Sequence, residues 1–237
     1  MISCPNCRSD TTTRSLPAHG AVRPIPVEAC AACNLFWFDD AGSVRLTPES
    51  VIDLFRYIGS AAANARTALG STFACPRCSR ALAFTHDLQR TTRFTYCRCL
   101  RDNGQLISFA QFLREKNFIR TPSPAELARL RETVRQVTCS QCGAPVDLAR
   151  DSACTHCGTP VALIDPDGVA KALRDLAAAR PGSAPADSEA MRRVLAEAQA
   201  QAILDRERIP EGEIGQDLVA IGVAAIGAWL VNRLTDG

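Results

Sequence analysis

The chain has 237 residues, 46% of them hydrophobic and 22% charged, which is the ordinary composition of a globular protein. At about 100–200 residues per domain, this length allows one or two domains. The formal net charge of +2 excludes a polybasic nucleic-acid binder as a description of the whole chain, although a local basic patch remains open. The chain opens without a charged region followed by an apolar run, so no secretory signal peptide is expected and a cytoplasmic protein is predicted.

All twelve cysteines fall into close pairs, five of them C-x-x-C and one C-x-C. The intervals between successive pairs alternate between short and long, at 22, 41, 18, 39 and 11 residues. Two neighbouring pairs supply four thiolates to a tetrahedral zinc site, because a tight turn presents both sulfurs of a pair on one side. We therefore predict three zinc ions in three zinc ribbons. The predicted ligands are Cys4, Cys7, Cys30 and Cys33; Cys75, Cys78, Cys97 and Cys99; and Cys139, Cys142, Cys154 and Cys157.

Two other uses of paired cysteines fit this sequence less well. A disulfide framework is typical of secreted domains, which carry a signal peptide. A thioredoxin-like site uses one C-x-x-C near a βαβ pattern, whereas six pairs follow one another here. The C-x-C pair leaves open whether the second site uses all four of its cysteines. Residues tolerant of positive φ follow several pairs, namely Asn34, Gly143 and Gly158, as a metal-binding turn requires.

The first predicted ribbon covers residues 1–46 and is followed by a helical connector over residues 47–71. A short strand that ends in a turn is expected over residues 35–40, where apolar and aromatic residues are followed by two aspartates. Thr47 and Pro48 predict a helix start, with Thr47 as the cap and Pro48 in the first turn.

The second ribbon, with a helix, is predicted over residues 72–120, and a further helix over residues 121–136. Asn103-Gly104 is a hairpin signal between Cys99 and the next apolar strand. Two capping boxes predict helix starts, one at Ser108 with Gln111 and one at Ser123 with Glu126.

The third ribbon is predicted over residues 137–164, followed by a helix over 165–180, a linker over 181–187 and C-terminal helices over 188–237. Residues Leu218 to Val231 form an uncharged apolar run. As a helix this run would span about 21 Å, less than the roughly 30 Å core of a bilayer. Packing inside the protein or in a homo-oligomer is therefore the first expectation. Contact with a membrane surface, anchored by Trp229 and Arg233, is the alternative, as peripheral association.

The first module resembles the bacterial TFIIB-type zinc-ribbon family. The resemblance depends on Cys4-Pro5-Asn6-Cys7, on Cys30-Ala31-Ala32-Cys33 and on the signature Trp37-Phe38-Asp39. Asn34 stands where the family usually has glycine. The resemblance covers about a fifth of the chain and implies a zinc-ribbon fold with a structural metal. The whole chain also resembles multi-ribbon bacterial proteins of unassigned function.

Positive charge and aromatic residues concentrate in residues 72–120, which hold nine basic and three acidic residues and seven of the thirteen aromatics. A basic, aromatic surface can bind phosphates and stack bases, and the candidates for this are Arg90, Arg93, Arg98 and Arg101. The alternative is that the aromatics form the small core of the module. Zinc bound by four thiolates carries a net charge of −2, so three filled sites would lower the net charge to about −4 and weaken phosphate binding.

The sequence as a whole predicts a small metal-stabilised α+β protein, with three zinc ribbons linked and followed by α-helices. It contains no nucleophile elbow, phosphate loop or H-E-x-x-H motif, so no catalytic residue is predicted. The predicted function is that of a non-enzymatic, zinc-binding protein that acts as a protein-interaction or regulatory adaptor. Two alternatives remain open: a transcription-associated nucleic-acid-binding regulator that uses the second ribbon, and a zinc-dependent or thiol-redox enzyme.

Overall fold

A computed structural model describes residues 2–40, 42–61, 67–89, 92–179, 188–206 and 217–235. The chain forms two compact units, one made of residues 1–54 and 64–116 and the other of residues 55–63 and 117–237. Arg90 and the predicted linker over residues 181–187 lie outside the described residues.

The described residues form ten strands and seven helices, which confirms the mixed α+β class. The strands are β1 (Thr12–Leu16), β2 (Ile25–Cys30), β3 (Leu35–Phe38), β4 (Ala83–Gln89), β5 (Thr92–Arg98), β6 (Gln105–Ser108), β7 (Ile119–Arg120), β8 (Gln136–Thr138), β9 (Pro145–Asp147) and β10 (Leu163–Ile164). The helices are α1 (Gly42–Arg45), α2 (Pro48–Ala61), α3 (Phe109–Glu115), α4 (Pro124–Thr133), α5 (Pro166–Ala179), α6 (Ser188–Arg206) and α7 (Leu218–Thr235).

The first unit is built on one six-stranded antiparallel sheet in the order β1-β2-β3-β6-β5-β4. Strands β3 and β6 join its two halves, with Leu35 opposite Ser108 and Phe38 opposite Gln105. The segments predicted as the first and second ribbons therefore share a sheet and a core, which cysteine spacing alone does not indicate.

Strand β3 is buried on both of its faces. Phe36 and Phe38 lie on the face covered by α3, and the Phe36 ring centroid is 4.4 Å from that of Phe109 and 5.4 Å from that of Phe112. Because side chains alternate along a strand, Leu35 and Trp37 point to the other face, where they pack among cysteines of the first two groups. Aromatic packing and cysteine clusters thus form the two layers around β3.

Three helix starts were predicted from sequence, and hydrogen bonds account for each of them. Before α2, the Ser50 amide donates to the Thr47 hydroxyl at 3.3 Å. Before α4, the capping box at Ser123 and Glu126 is complete. Before α3, Ser108 accepts from the Gln111 amide at 3.2 Å, but the Gln111 side chain accepts from the Thr95 amide of β5 at 2.9 Å. The cap bond predicted at Ser108 is therefore present, and the Gln111 side chain also ties the helix to the sheet.

In the second unit, the apolar C-terminal run forms α7, which packs inside that unit. The buried side chains of α7 recur at helical spacing, at Val219, Val223, Ile226 and Leu230. Gly222 allows close approach to β10, since a Cβ there would lie 2.6 Å from Cγ1 of Ile164. Among the described helices, none has the length and apolar character needed to cross a membrane.

Candidate metal centres

Five turns that carry candidate ligands share one backbone hydrogen-bond pattern. The amide of the residue four positions after the first cysteine donates to the carbonyl of that cysteine, at 2.8–3.0 Å. The amide of the first cysteine donates to the carbonyl five positions on, at 2.8–2.9 Å. This pattern places the side chains of the first and fourth residues of the turn side by side. It recurs in the turns that begin at Cys4, Cys75, Cys99, Cys139 and Cys154.

The backbone enters the left-handed region directly after the second cysteine of several pairs, including the Cys30–Cys33 pair. Asn34, Gly143 and Gly158 have φ values of 52°, 75° and 71°, which confirms the expectation from their residue types. Arg8 and Ser79 adopt the same conformation, at 66° and 61°, although such residues disfavour it by about 1–2 kcal/mol. The backbone hydrogen bonds of these turns are therefore made even where the residue type disfavours the left-handed conformation.

The first and third groups each bring four cysteine sulfurs within 4.8 Å of one another. The Sγ–Sγ distance is 3.7 Å for Cys7 and Cys30, for Cys139 and Cys157, and for Cys142 and Cys154. A disulfide would need about 2.05 Å. With zinc–sulfur bonds of about 2.3 Å, two sulfurs of a tetrahedron lie about 3.8 Å apart. Both groups therefore have the dimensions of a four-coordinate metal site.

The second group consists of Cys75, Cys78, Cys99 and Asp102, and Cys97 is not a member. The structure differs here from the prediction that Cys97 is a ligand. Cys97 lies within β5, opposite Phe84 of β4 and Leu106 of β6, whereas the ligand-bearing turn begins only at Cys99. The fourth residue of that turn is Asp102, which takes the place of a second cysteine. A count of cysteines alone misses it, but the run Cys99-Leu100-Arg101-Asp102-Asn103-Gly104 has the spacing of the other turns with aspartate as the second ligand.

The Asp102 carboxylate is oriented by the turn that carries it. Its Oδ1 accepts from the Gly104 amide at 3.0 Å, and its Oδ2 lies 3.4 Å from Sγ of Cys75. A side chain at position 104 would clash with Trp37, because a Cβ there would lie 2.1 Å from Cζ2 of that ring. One oxygen is thus fixed by the backbone and the other faces the three sulfurs.

The Trp-apolar-Asp signature of β3 supports the turn that begins at Cys75. The Trp37 indole N–H donates to Oδ1 of Asp39 at 2.7 Å. The Arg77 guanidinium donates to both Asp39 oxygens, at 3.2 and 2.9 Å, and the Arg77 amide donates to Sγ of Cys75 at 3.4 Å. The signature residues therefore connect the first half of the sheet to the second cysteine group.

Some thiols in the first and third groups ionise more readily than free cysteine. A hydrogen bond from Cys30 lowers the pKa of Cys4 to about 5, and one from Cys139 lowers the pKa of Cys157 to about 4, while the same bonds raise the pKa of Cys30 and of Cys139. The thiolate is the form that binds a metal. Burial raises the pKa of Cys97.

Of the basic residues proposed for nucleic-acid binding, those that the structure describes do not all lie on one face of the sheet. Arg93 and Arg98 are five positions apart on β5, so their side chains leave opposite faces of the sheet. Arg98 donates to Oδ1 of Asn103 at 2.6 Å and so belongs to the turn. Arg101 is exposed within the same turn. Among the aromatics of this segment, Phe109, Phe112 and Phe118 are buried in cores.

Comparisons with protein-family models, with curated proteins and with solved structures found no match for this chain. What the chain does is therefore inferred from its three candidate metal groups and from its surface.

Proposed function

We propose that the chain is a zinc-binding, non-enzymatic multi-ribbon protein that acts as an interaction adaptor. The observation that carries this proposal is the set of three four-donor groups, each within 4.8 Å, eleven of whose twelve donors are cysteine sulfurs. Tetrahedral, sulfur-rich sites of this kind suit zinc, with iron as the chemical competitor. Each group combines turns next to short antiparallel strands, which fits the ribbon interpretation.

A structural role for the metal fits the donor count better than a catalytic role. A catalytic zinc usually keeps three protein ligands and one position for water, whereas a structural zinc has four protein ligands. Here each group offers four side chains. The first two groups also lie in the core beside Trp37 and Leu35, where a bound ion would hold the sheet together.

The adaptor role is supported by strand β4, which lies at the edge of the sheet. Phe84 and Leu88 are 65% and 57% exposed, and with His86 they occupy alternate positions and hence one face of the strand. Within the part of the chain that is described, no strand pairs with the outer edge of β4. An extended segment of a partner protein can pair with an exposed apolar edge strand and so add a strand to the sheet. Its apolar side chains would then lie beside Phe84 and Leu88.

Metal content tests the first half of the proposal. Native mass spectrometry of the full chain is expected to show three zinc ions, and chelator is expected to remove them. Fewer than two metal ions per chain, or iron in place of zinc, would contradict the assignment.

Partner binding tests the second half. The double variant Phe84→Ser/Leu88→Ser is expected to lose a co-purifying protein while keeping its zinc. Val44→Ser is the matched control, because Val44 is also apolar and 69% exposed but lies in α1. Equal loss in both variants would argue against β4 as the docking strand. Salt-sensitive binding of nucleic acid, with strong absorbance at 260 nm, would support the regulator alternative instead.

A further inference from the structure

We propose that the second group is a zinc site formed by three thiolates and the Asp102 carboxylate, and that it is the exchangeable site of the chain. Cys97 is not a ligand in this site. The other two groups, each with four thiolates, retain their ions under conditions in which this one is released. The inference rests on the proposed zinc-binding function and assigns a distinct role to one of its sites.

The shared turn pattern is the first argument for Asp102 as a ligand. In the four turns that begin at Cys4, Cys75, Cys139 and Cys154, the first and fourth residues are both members of a metal group. The turn that begins at Cys99 has the same two backbone hydrogen bonds and a positive φ of 58° at Asn103. The position equivalent to the second cysteine is Asp102.

Distances between donor atoms provide the second argument. Sγ of Cys78 lies 3.5 Å from Sγ of Cys99, and Sγ of Cys75 lies 3.4 Å from Oδ2 of Asp102. For a tetrahedral zinc ion, the corresponding separations are about 3.8 Å between two sulfurs and about 3.5 Å between a sulfur and a carboxylate oxygen. Because Oδ1 is held by the Gly104 amide, Oδ2 is the oxygen available to the ion.

Cys97 lies next to the second group without being one of its four donors. It lies in the ladder of β5, between Phe84 and Leu106, and is held there by pairing with both neighbouring strands. Its side chain packs against the same cysteine cluster, but its sulfur is not one of the four donor atoms that lie within 4.8 Å of one another. Cys97 therefore lies next to the site but is not one of its ligands.

The donor chemistry explains why this site exchanges its ion first. Three thiolates and one carboxylate give the same net charge of −2 around Zn²⁺ as four thiolates, so overall charge does not distinguish the sites. An oxygen donor is harder than a sulfur donor and binds zinc less tightly than a thiolate does. Exposure does not single out this site, because the third group includes the exposed Cys157; the oxygen donor is the feature that distinguishes the second group from the other two.

The test follows zinc loss from the full chain by native mass spectrometry while a chelator competes. The unmodified chain is expected to pass through a species with two zinc ions. Asp102→Cys is expected to slow the first release at least tenfold, and Asp102→Asn to accelerate it at least tenfold. Cys97→Ser is the matched control and is expected to release zinc at the unmodified rate.

Cobalt substitution gives an independent reading of the ligands. The intensity of the thiolate-to-cobalt band is expected to correspond to eleven bound thiolates in the unmodified chain and to twelve in Asp102→Cys. Twelve thiolates in the unmodified chain, or loss of the third ion in Cys97→Ser, would overturn the inference while leaving the zinc-binding function intact. A chain that binds no zinc in any group would instead overturn the function itself.

Discussion

Gly104 shows how one residue without a side chain serves two parts of the first unit. Its amide orients the Asp102 carboxylate, and its Cα lies against the Trp37 ring. The sequence marks the position only as the second half of an Asn-Gly hairpin signal. The hairpin is present, but the reason for glycine here is the close approach of Trp37, since the positive φ belongs to Asn103.

Gly104→Ala is expected to destabilise the first unit by about 1–3 kcal/mol, the usual range for overpacking. The added Cβ would lie 2.1 Å from the Trp37 ring, so the ring or the turn must move. Urea unfolding at fixed zinc concentration measures the change. Gly70→Ala is the control, because its nearest neighbours would be 3.6 Å away, in ordinary contact. Equal stability of the two variants would contradict the assigned packing.

A buried ion pair at the end of α3 provides a second test at the level of single residues. Lys116 donates to Oε1 of Glu115 at 2.8 Å and to the Ser43 carbonyl at 2.8 Å, and the Ser43 hydroxyl donates to Glu115 at 3.0 Å. Glu115 is buried. Removal of the lysine would leave that charge without its counter-ion.

Lys116→Met is therefore expected to lower the free energy of unfolding by about 3–5 kcal/mol, the range for breaking a buried pair. Lys171→Met is the control, because Lys171 and Asp175 form an exposed pair along α5 whose loss is expected to cost about 0.5 kcal/mol or less. Chemical denaturation of both variants makes the comparison. A loss below about 1 kcal/mol for Lys116→Met would show that solvent reaches Glu115.

At the scale of single elements, α4 is the clearest case of a helix set by its first residues. The helix is polar overall. The structure describes all of its residues, and none of them is fully buried. The reciprocal bonds between Ser123 and Glu126, with Pro124 in the first turn, define where it begins. Arg120 of β7 adds two hydrogen bonds to Glu126, at 2.8 and 2.6 Å.

Because these contacts bind the ionised form of Glu126, the pKa of that carboxyl reports whether the helix cap is formed. Hydrogen bonds from Arg120 and from Ser123 lower the pKa of Glu126 to about 2. A lowered folded-state pKa means that the carboxylate stabilises the fold fully above its ordinary value of 4.5, and that this stabilisation is lost as the pH falls from there toward 2. An NMR titration of the Glu126 carboxyl carbon is expected to show this low midpoint. Arg120→Met is expected to raise it, and an unchanged midpoint in that variant would contradict the assigned cause.

How far sequence predicts each element depends on whether its signal is local. Thr47, Pro48 and Ser123 define helix starts through neighbours within three residues, and these starts were predicted. Strand β1 was not, because Thr12–Leu16 is mostly polar and pairs with β2 across an intervening loop. Gln111 fits a capping box, yet its side chain bonds to β5, a contact that only the tertiary fold creates.

The candidate metal groups also differ in whether a local sequence signal identifies all of their members. Cysteine spacing identified all four members of the first and third groups, because both turns of each are C-x-x-C. It selected Cys97 in the second group, because only sulfur was counted as a ligand, and it omitted Asp102. The strand ladder that holds Cys97 and the turn that presents Asp102 depend on where β5 ends, which spacing alone does not define.

At the scale of the whole molecule, the two units contain their metal groups in unequal numbers. The first unit holds two groups beside the buried Trp37, and the second unit holds the group at Cys139–Cys157 in a core with Val137, Val146 and Leu148. Small units of this kind bury limited apolar surface, so bound metal is expected to carry much of their stability.

Metal removal is expected to expose Trp37, which is 2% exposed. The chain has two tryptophans, so Trp229→Phe leaves Trp37 as the single reporter. Chelation of that variant is expected to shift its fluorescence emission to longer wavelength, and added zinc is expected to restore it. Native mass spectrometry first shows that the ions have been removed. If the emission is then unchanged, the sheet keeps its fold without metal.

The separation of Cys97 from the second group makes the chain a reporter of its own metal content. If all three groups hold their ions as proposed, an alkylating reagent is expected to find one uncoordinated thiol, Cys97, which is partly buried within β5. Release of the ion beside Asp102 would raise the number of modifiable thiols to four, and release from either of the other groups would add four more. Intact-mass counting of labels would then order the three releases in time without any engineered probe.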